Sequence, residues 1–314
     1  MAVTQETPKP LSDSLSFDSH LDEAKPMKKK IPPLVGNWTL RDISFASFIL
    51  FFHVLCLFAP FTFTWGTLAC AYILHILTAF SITLSYHRNL AHRSYKLPKY
   101  LEYLLAYFAL HAYQGDPVFW VSTHRYHHKT TDTERDPHSP KEGFFFSHIG
   151  WIFDFNKLFQ KGATYANVRD LTKQPYYRFL RQTMGAHVVL MGALIYAFGG
   201  FPYLVWGMGV RTVYGYHITF VVNSVCHTWG HRAWNTPDLS KNNWLLCLGT
   251  FGESWHNNHH AFDYSARQGL EWWQIDLTWY AIKLLEYLGV ATDVKLPSEA
   301  HKQRMSLDAK QSSS

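Results

Sequence analysis

Residues 43–65, ISFASFILFFHVLCLFAPFTFTW, contain no Asp, Glu, Lys or Arg, and residues 66–86 continue without charge. Each run reaches the roughly 20 residues that a helix needs to cross the hydrocarbon of a bilayer. Only a few residues near Pro60 to Gly66 separate them, which predicts a helical hairpin with crossings at 43–65 and 66–86. A third uncharged run, 182–210, is broken by Gly199-Gly200-Phe201-Pro202. That break predicts a second hairpin, with arms at 183–198 and 203–222. Its last arm carries Arg211 and His217, which are costly in lipid and should face protein or a cavity. The reading is an all-α integral membrane protein of four transmembrane helices in two hairpins, capped by a cytosolic helical domain.

The flanks of these runs orient the chain. Lys25, Lys28, Lys29, Lys30 and Arg41 precede the first crossing, and Arg88, Arg93, Lys96 and Lys99 follow the second. Basic flanks stay on the cytosolic side, so both termini and residues 87–180 are expected there. Residues 1–40 read as a disordered cytosolic tail, 41–297 as the membrane domain and 298–314 as a polar tail. The first 30 residues balance five acids with five lysines, have no Arg and lack an apolar core, unlike a signal or transit peptide. Segments 98–113 and 272–289 are amphipathic and too mixed to span, and suit the membrane interface or the face of the cytosolic domain. The net charge of +6 has no basic stripe beyond Lys28-Lys29-Lys30, which argues against a nucleic-acid partner. Cys56, Cys70, Cys226 and Cys247 form no CxxC pair, and free thiols in a reducing compartment are expected.

Nineteen histidines remain, and their spacing carries the chemistry. His87 and His92 lie in HRNLAH, His124, His127 and His128 in HRYHH, and His256, His259 and His260 in HNNHH. Positions i, i+3 and i+4 share one helix face, so each HxxHH triplet is expected to aim three imidazoles at one point. The i, i+5 spacing of the first box is about 140° on an ideal helix, which places its second histidine at a frayed end. At this histidine content, about 0.07 HxxHH matches are expected by chance, and two occur. Eight imidazoles are too many for one ion and suit two, although imidazole binds Zn, Cu, Fe and Ni alike. A carboxylate-bridged di-iron site needs paired Glu-x-x-His motifs. The chain has one, Glu253 to His256. His227, in NSVCHTWG, reads on its own as a structural histidine, with Asn223 one turn earlier on the same face.

The three boxes, the NSxxH element and the four-crossing layout resemble the membrane fatty-acyl desaturases of the stearoyl-CoA desaturase type. The strings YHRNLAHRSYK, QGDPVFWVSTHRYHH, RDPHSPKEGFFFSHIGW, FGESWHNNHHAF and SARQGLEWWQID are most similar to plant acyl-lipid Δ9-type desaturases, from about Asp42 to Pro297. The resemblance implies that nine histidines, His227 included, bind two iron ions, and that Asn223 holds a water on one of them. It implies an oxygen-dependent desaturase that places a cis double bond in a saturated fatty-acyl chain, by default at Δ9, with Δ5 and Δ7 as the alternatives. Cytochrome b5 is the implied electron donor, since neither an HPGG string nor a CxxCH is present. The endoplasmic reticulum membrane is the implied location, with a chloroplast membrane as the alternative. Animal acyl-CoA enzymes carry Arg-Asp before the second box, where this chain has Ser122 and Thr123, which leaves a lipid-linked acyl chain open. His111-Ala112-Tyr113 also departs from the pattern, and His111 reads as structural.

Removing hydrogen from an unactivated methylene is chemistry that a cofactor supplies and side chains do not. Trp120, Trp229 and Trp255 stand beside the boxes and are candidates to line an acyl tunnel, with plain aromatic packing the competing reading. A di-iron lipid hydroxylase is the second functional reading. A metal store or transporter is the third, and would want ligands along the crossings, where the first two offer only His53 and His75.

Overall fold

The computed structural model describes residues 38–153, Leu158 and 165–307, so the expected disordered tail lies almost wholly outside the described residues. Helix α1 (Leu40–Cys56) starts where Thr39 and Asp42 form a capping box. Thr39 N donates to Asp42 Oδ2 at 2.7 Å and Asp42 N donates to Thr39 Oγ1 at 3.4 Å. A second box, Thr64 with Thr67, starts α2 (Trp65–Ser81). The turn between them thus occupies residues 57–64, and α2 runs on as a π-helix, Ile82–Ala91. Then follow α3 (Lys99–Leu110), α4 (Pro117–Thr130), α5 (Phe144–His148), α6 (Arg169–Thr172), α7 (Pro175–Leu204), α8 (Arg211–Ser224), α9 (His256–Ala261), α10 (Leu277–Tyr287) and α11 (Glu299–Met305). Among the described residues there are isolated bridges but no extended strand.

Among the described residues, three helical runs are long and apolar enough to cross a membrane: Leu40–Phe61, Trp65–Ala91 and Pro175–His227. The 53-residue third run is where the sequence predicted two arms. It is broken at Gly200, whose φ of 69° and ψ of −166° only glycine adopts without strain. Across the break Ile195 lies over Gly207 and Met208 over Gly192, so the two halves run side by side. A π-helical turn, Val205–Val210, joins α7 to α8. There Gly209 meets α1: a Cβ added to it would stand 3.1 Å from Leu55 Cγ. Small residues of this kind let membrane helices approach closely.

These helices turn apolar side chains outward. Leu50 is 61% exposed, Ile73 63% and Val189 72%, a surface that only lipid satisfies. Between them Ile49, Phe52 and Leu55 of α1 pack on Val205, Met208, Tyr216 and Phe220. Arg211 is buried, as its cost in lipid requires.

Helix α3 buries Ala106, Ala109 and Leu110 against Ile82 and Tyr86 of the π-helix. Helix α10 buries Trp279 and Ile282 against Leu84 and Tyr95 while Leu284 and Tyr287 stay exposed. The segment after residue 297 is polar and largely exposed as far as Leu307. Helix α11 docks there through His301, whose Nδ1 is 2.8 Å from Tyr264 Oη and whose ring meets Phe262 edge-on. All four cysteines are free thiols.

Candidate metal centre

The first histidine pair owes its geometry to the π-helix. Its i→i+5 bonding lets His92 N donate to His87 O at 3.1 Å and stacks residues five apart. The 140° separation computed for an ideal α-helix therefore does not arise. His92 is at the C-cap, but with helical dihedrals and in register, not frayed.

Helix α4 is started by Asp116, which accepts from Val118 N (2.9 Å) and Phe119 N (3.1 Å), with Pro117 at the first position. This anchors His124, His127 and His128. Their imidazoles do not meet at one point as expected. His87, His92, His124, His128 and His259 gather in one group, and His127, His227, His256 and His260 in another, each within 4.8 Å. The reason is angular: i+3 and i+4 differ by about 100° around the axis, so a triplet straddles two centres. In α4 and α9 alike the i and i+4 histidines share a group and the i+3 histidine crosses to the other.

The inward nitrogens nearly touch. Nε2–Nε2 separations are 2.7 Å for His92–His124, 2.9 Å for His128–His259 and 3.2 Å for His87–His259. In the second group they are 2.9 Å for His227–His256 and 3.1 Å for His256–His260. An ion about 2.1 Å from two donors at right angles holds them about 3.0 Å apart, so both groups have the dimensions of a coordination shell. Burial, with the neighbouring imidazoles, holds His92, His124, His128, His256, His259 and His260 well below the ordinary imidazole range. Neutral imidazole is the form that ligates. The donor set fits metal.

Four carboxylates orient these rings from behind. His87 Nδ1 is 2.5 Å from Glu253, His127 Nδ1 2.9 Å from Asp136, His227 Nδ1 3.1 Å from Asp132 and His260 Nδ1 3.0 Å from Asp238. Each carboxylate accepts the Nδ1–H and leaves the Nε2 lone pair facing inward. Glu253 is in turn held by Arg88, which donates to it at 2.9 Å and to Asp276 at 2.9 Å. Burial works against ionisation of Glu253, yet Arg88 and His87 bring its carboxyl down to about 2. Spacing does not single out these acids. Asp132 is 95 residues from the His227 it meets, although Asp132, Asp136 and Glu253 all stand within nine residues of a box.

Two cavities reach the histidines. One, of about 70 Å3, is lined by His87, His124, His127 and His256 together with Ile82, Ile218 and Phe251. The other, of about 80 Å3, is lined by Phe45, Phe119, Trp151 and Phe220, and also by His124. Trp120, His124, Thr219 and Asn223 belong to both walls, so the two form arms that meet beside the clusters. Of the three tryptophans, Trp120 lines both arms. Trp229 is 59% exposed against Phe144, and Trp255 is buried with its indole N–H on Ile275 O at 2.8 Å. Neither is part of either lining.

Residues 63–291 match the family model described as fatty acid desaturase. The chain is 61% identical over 284 residues to an acyl-CoA C20 Δ5-desaturase of Anemone leveillei, covering 90% of this chain and 91% of that one. It is 56% identical to a palmitoyl-monogalactosyldiacylglycerol Δ7 desaturase, chloroplastic, of Arabidopsis thaliana, over 88% of this chain and 75% of that one. It is 54% identical to Δ9 acyl-lipid desaturase 1 of the same plant, over 91% and 94%. With the histidine groups, the paired cavity arms and this breadth of identity, the chain belongs to the fatty acid desaturase family and is an oxidoreductase acting on fatty-acyl chains.

Proposed function

We propose that the protein introduces a cis double bond at Δ9 of a saturated acyl chain, using O2, two irons and two electrons from cytochrome b5 at the endoplasmic reticulum. The observation that carries this reading is the meeting of two apolar cavity arms beside two histidine groups, one of five and one of four. His87, His92, His124, His128 and His259 would hold one iron, and His127, His227, His256 and His260 the other. An iron pair held there would supply the oxygen activation that side chains lack. Trp120, Thr219 and Asn223 stand where the arms meet and fix which methylenes lie nearest the histidines. A bend in the acyl chain at that point favours the cis product. The Asn223 amide holds a water toward the second group.

Four crossings, with the third run folded at Gly200, place both histidine groups and both termini on the cytosolic side, where the donor docks. Ser122 is buried in hydrogen bonds with Asn167, donating to its Oδ1 at 2.6 Å, and Thr123 lines the second arm. Neither meets an acyl headgroup in solvent, so the carrier is set elsewhere on the surface. A second reading, Δ5 on an acyl-CoA, is favoured by the identity to the Anemone enzyme. Expression in a desaturase-deficient yeast, with double bonds located by mass spectrometry, tests both: Δ9 products support the first, Δ5 products the second, and saturated lipids alone refute desaturation by this chain.

A further inference from the structure

Away from the histidine groups, a partly enclosed cavity of about 60 Å3 lies between α2, α3, α7 and α8, walled by Leu74, Leu77, Phe108 and Met191. Two basic side chains, each 3% exposed, line it: His111, just after α3, and Arg211, at the start of α8. Arg211 Nε donates to Gly207 O at 2.7 Å, and its Nη1 to His111 O at 2.5 Å and Thr78 Oγ1 at 3.3 Å. Its guanidinium faces the Tyr113 ring at 5.0 Å. Its Nη2 has no partner, and neither ring nitrogen of His111 has one. No carboxylate lies among the described residues of this wall.

A guanidinium stays charged at any physiological pH, and burying it at membrane depth without a counter-charge costs several kcal/mol. Carbonyls and a ring face offset part of that cost but leave Nη2 and its charge unmet. Burial, reinforced by Arg211, pushes the His111 imidazole down to about 4, so the ring keeps one N–H to donate. A water would accept from both donors but bring no charge. A small anion would do both.

We propose that this cavity is a binding site for a small monovalent anion, chloride in the cell, held between the His111 ring and Arg211 Nη2. It pins the end of α3 to the start of α8, next to the Tyr113–Gln114 turn that leads into α4. Bound anion stabilises the native state by mass action.

The test uses the full-length, metal-loaded protein at constant ionic strength, with chloride exchanged for gluconate, which is too large for the cavity. Chloride taken to ten times its dissociation constant raises the unfolding midpoint by roughly 2–5 °C, saturably, and bromide replaces it. His111→Leu, which keeps the Arg211 bonds to backbone carbonyls, abolishes the dependence and thereby separates this site from any halide at the metal centre. Bromide-grown crystals of the unaltered protein show an anomalous peak between His111 and Arg211. That readout stands even if the variant fails to fold. Equal midpoints in chloride and gluconate, a response that His111→Leu retains, or water alone in the cavity would overturn the proposal.

Discussion

Asp238→Asn isolates what a supporting carboxylate does for a ring it never lets go. Asp238 Oδ2 accepts from His260 Nδ1 at 3.0 Å. Its Oδ1 accepts from Ser240 N at 3.0 Å, Ser240 Oγ at 2.5 Å and Thr236 Oγ1 at 2.9 Å. Those three donors hold an oxygen in the Oδ1 position of an asparagine, so its NH2 must face His260 Nδ1. A donor there forces Nδ1 to accept and moves the ring proton to Nε2, the atom 3.1 Å from His256 Nε2 in the second group. The alternative orientation breaks the three-donor cradle. Losing one charge-assisted hydrogen bond costs about 1.5–3 kcal/mol, or about 10- to 100-fold in metal affinity. Volume and polarity are nearly unchanged, so folding should survive. The assay is iron per chain in purified protein after growth at limiting iron, with unsaturated lipid as a second readout. Iron should fall from two toward one, and product with it. Full iron and full product would refute the claim that Asp238 sets the His260 tautomer.

His227→Gln should lose iron and all product, whereas Asn223→Ala should keep most iron and lose about 10- to 100-fold in turnover, read by metal analysis and lipid profiling. A glycosylation tag inserted after residue 100 should remain unmodified, since the basic flanks place it in the cytosol. Asp170 accepts from Arg125 and Arg93, each at 2.8 Å; burial opposes its charge, but the two guanidiniums hold it at about 2. A carboxyl lowered in the folded state adds stability above its unfolded value, lost as pH falls toward 2. The stability gap between wild type and Asp170→Asn should thus be level above about pH 4.5 and shrink below it, remaining under about 1 kcal/mol because the carboxylate is a third exposed. Gly209→Val should destabilise by about 1–3 kcal/mol in thermal unfolding, since its branches would press into Leu55.

The membrane class and the eight box histidines were legible because both are local. A run without charge says it prefers lipid whatever its neighbours do, and i, i+4 spacing puts two rings on one face before any tertiary contact forms. His227 was weaker, because a lone histidine has no periodicity, and only the resemblance to a family raised it. The frayed end expected at His92 failed for an equally local reason: α-helical geometry was assumed, and the π-helix of Ile82–Ala91 changes the angle per residue.

What tertiary structure alone decided is the sharing of histidines between the groups and the identity of the acids behind them. His259 meets His128 from 131 residues away, and Asp132 meets His227 across 95. Likewise, which tryptophan faces a cavity depends on what packs opposite it, so Trp120 lines both arms and Trp255 does not. Spacing constrains angles about one helix axis, whereas convergence depends on the positions of several axes, which long-range packing sets. The amino-acid sequence by itself therefore determined the medium and the histidine-rich character of the site, and the fold decided where two histidine groups gather and which carboxylates turn their rings inward.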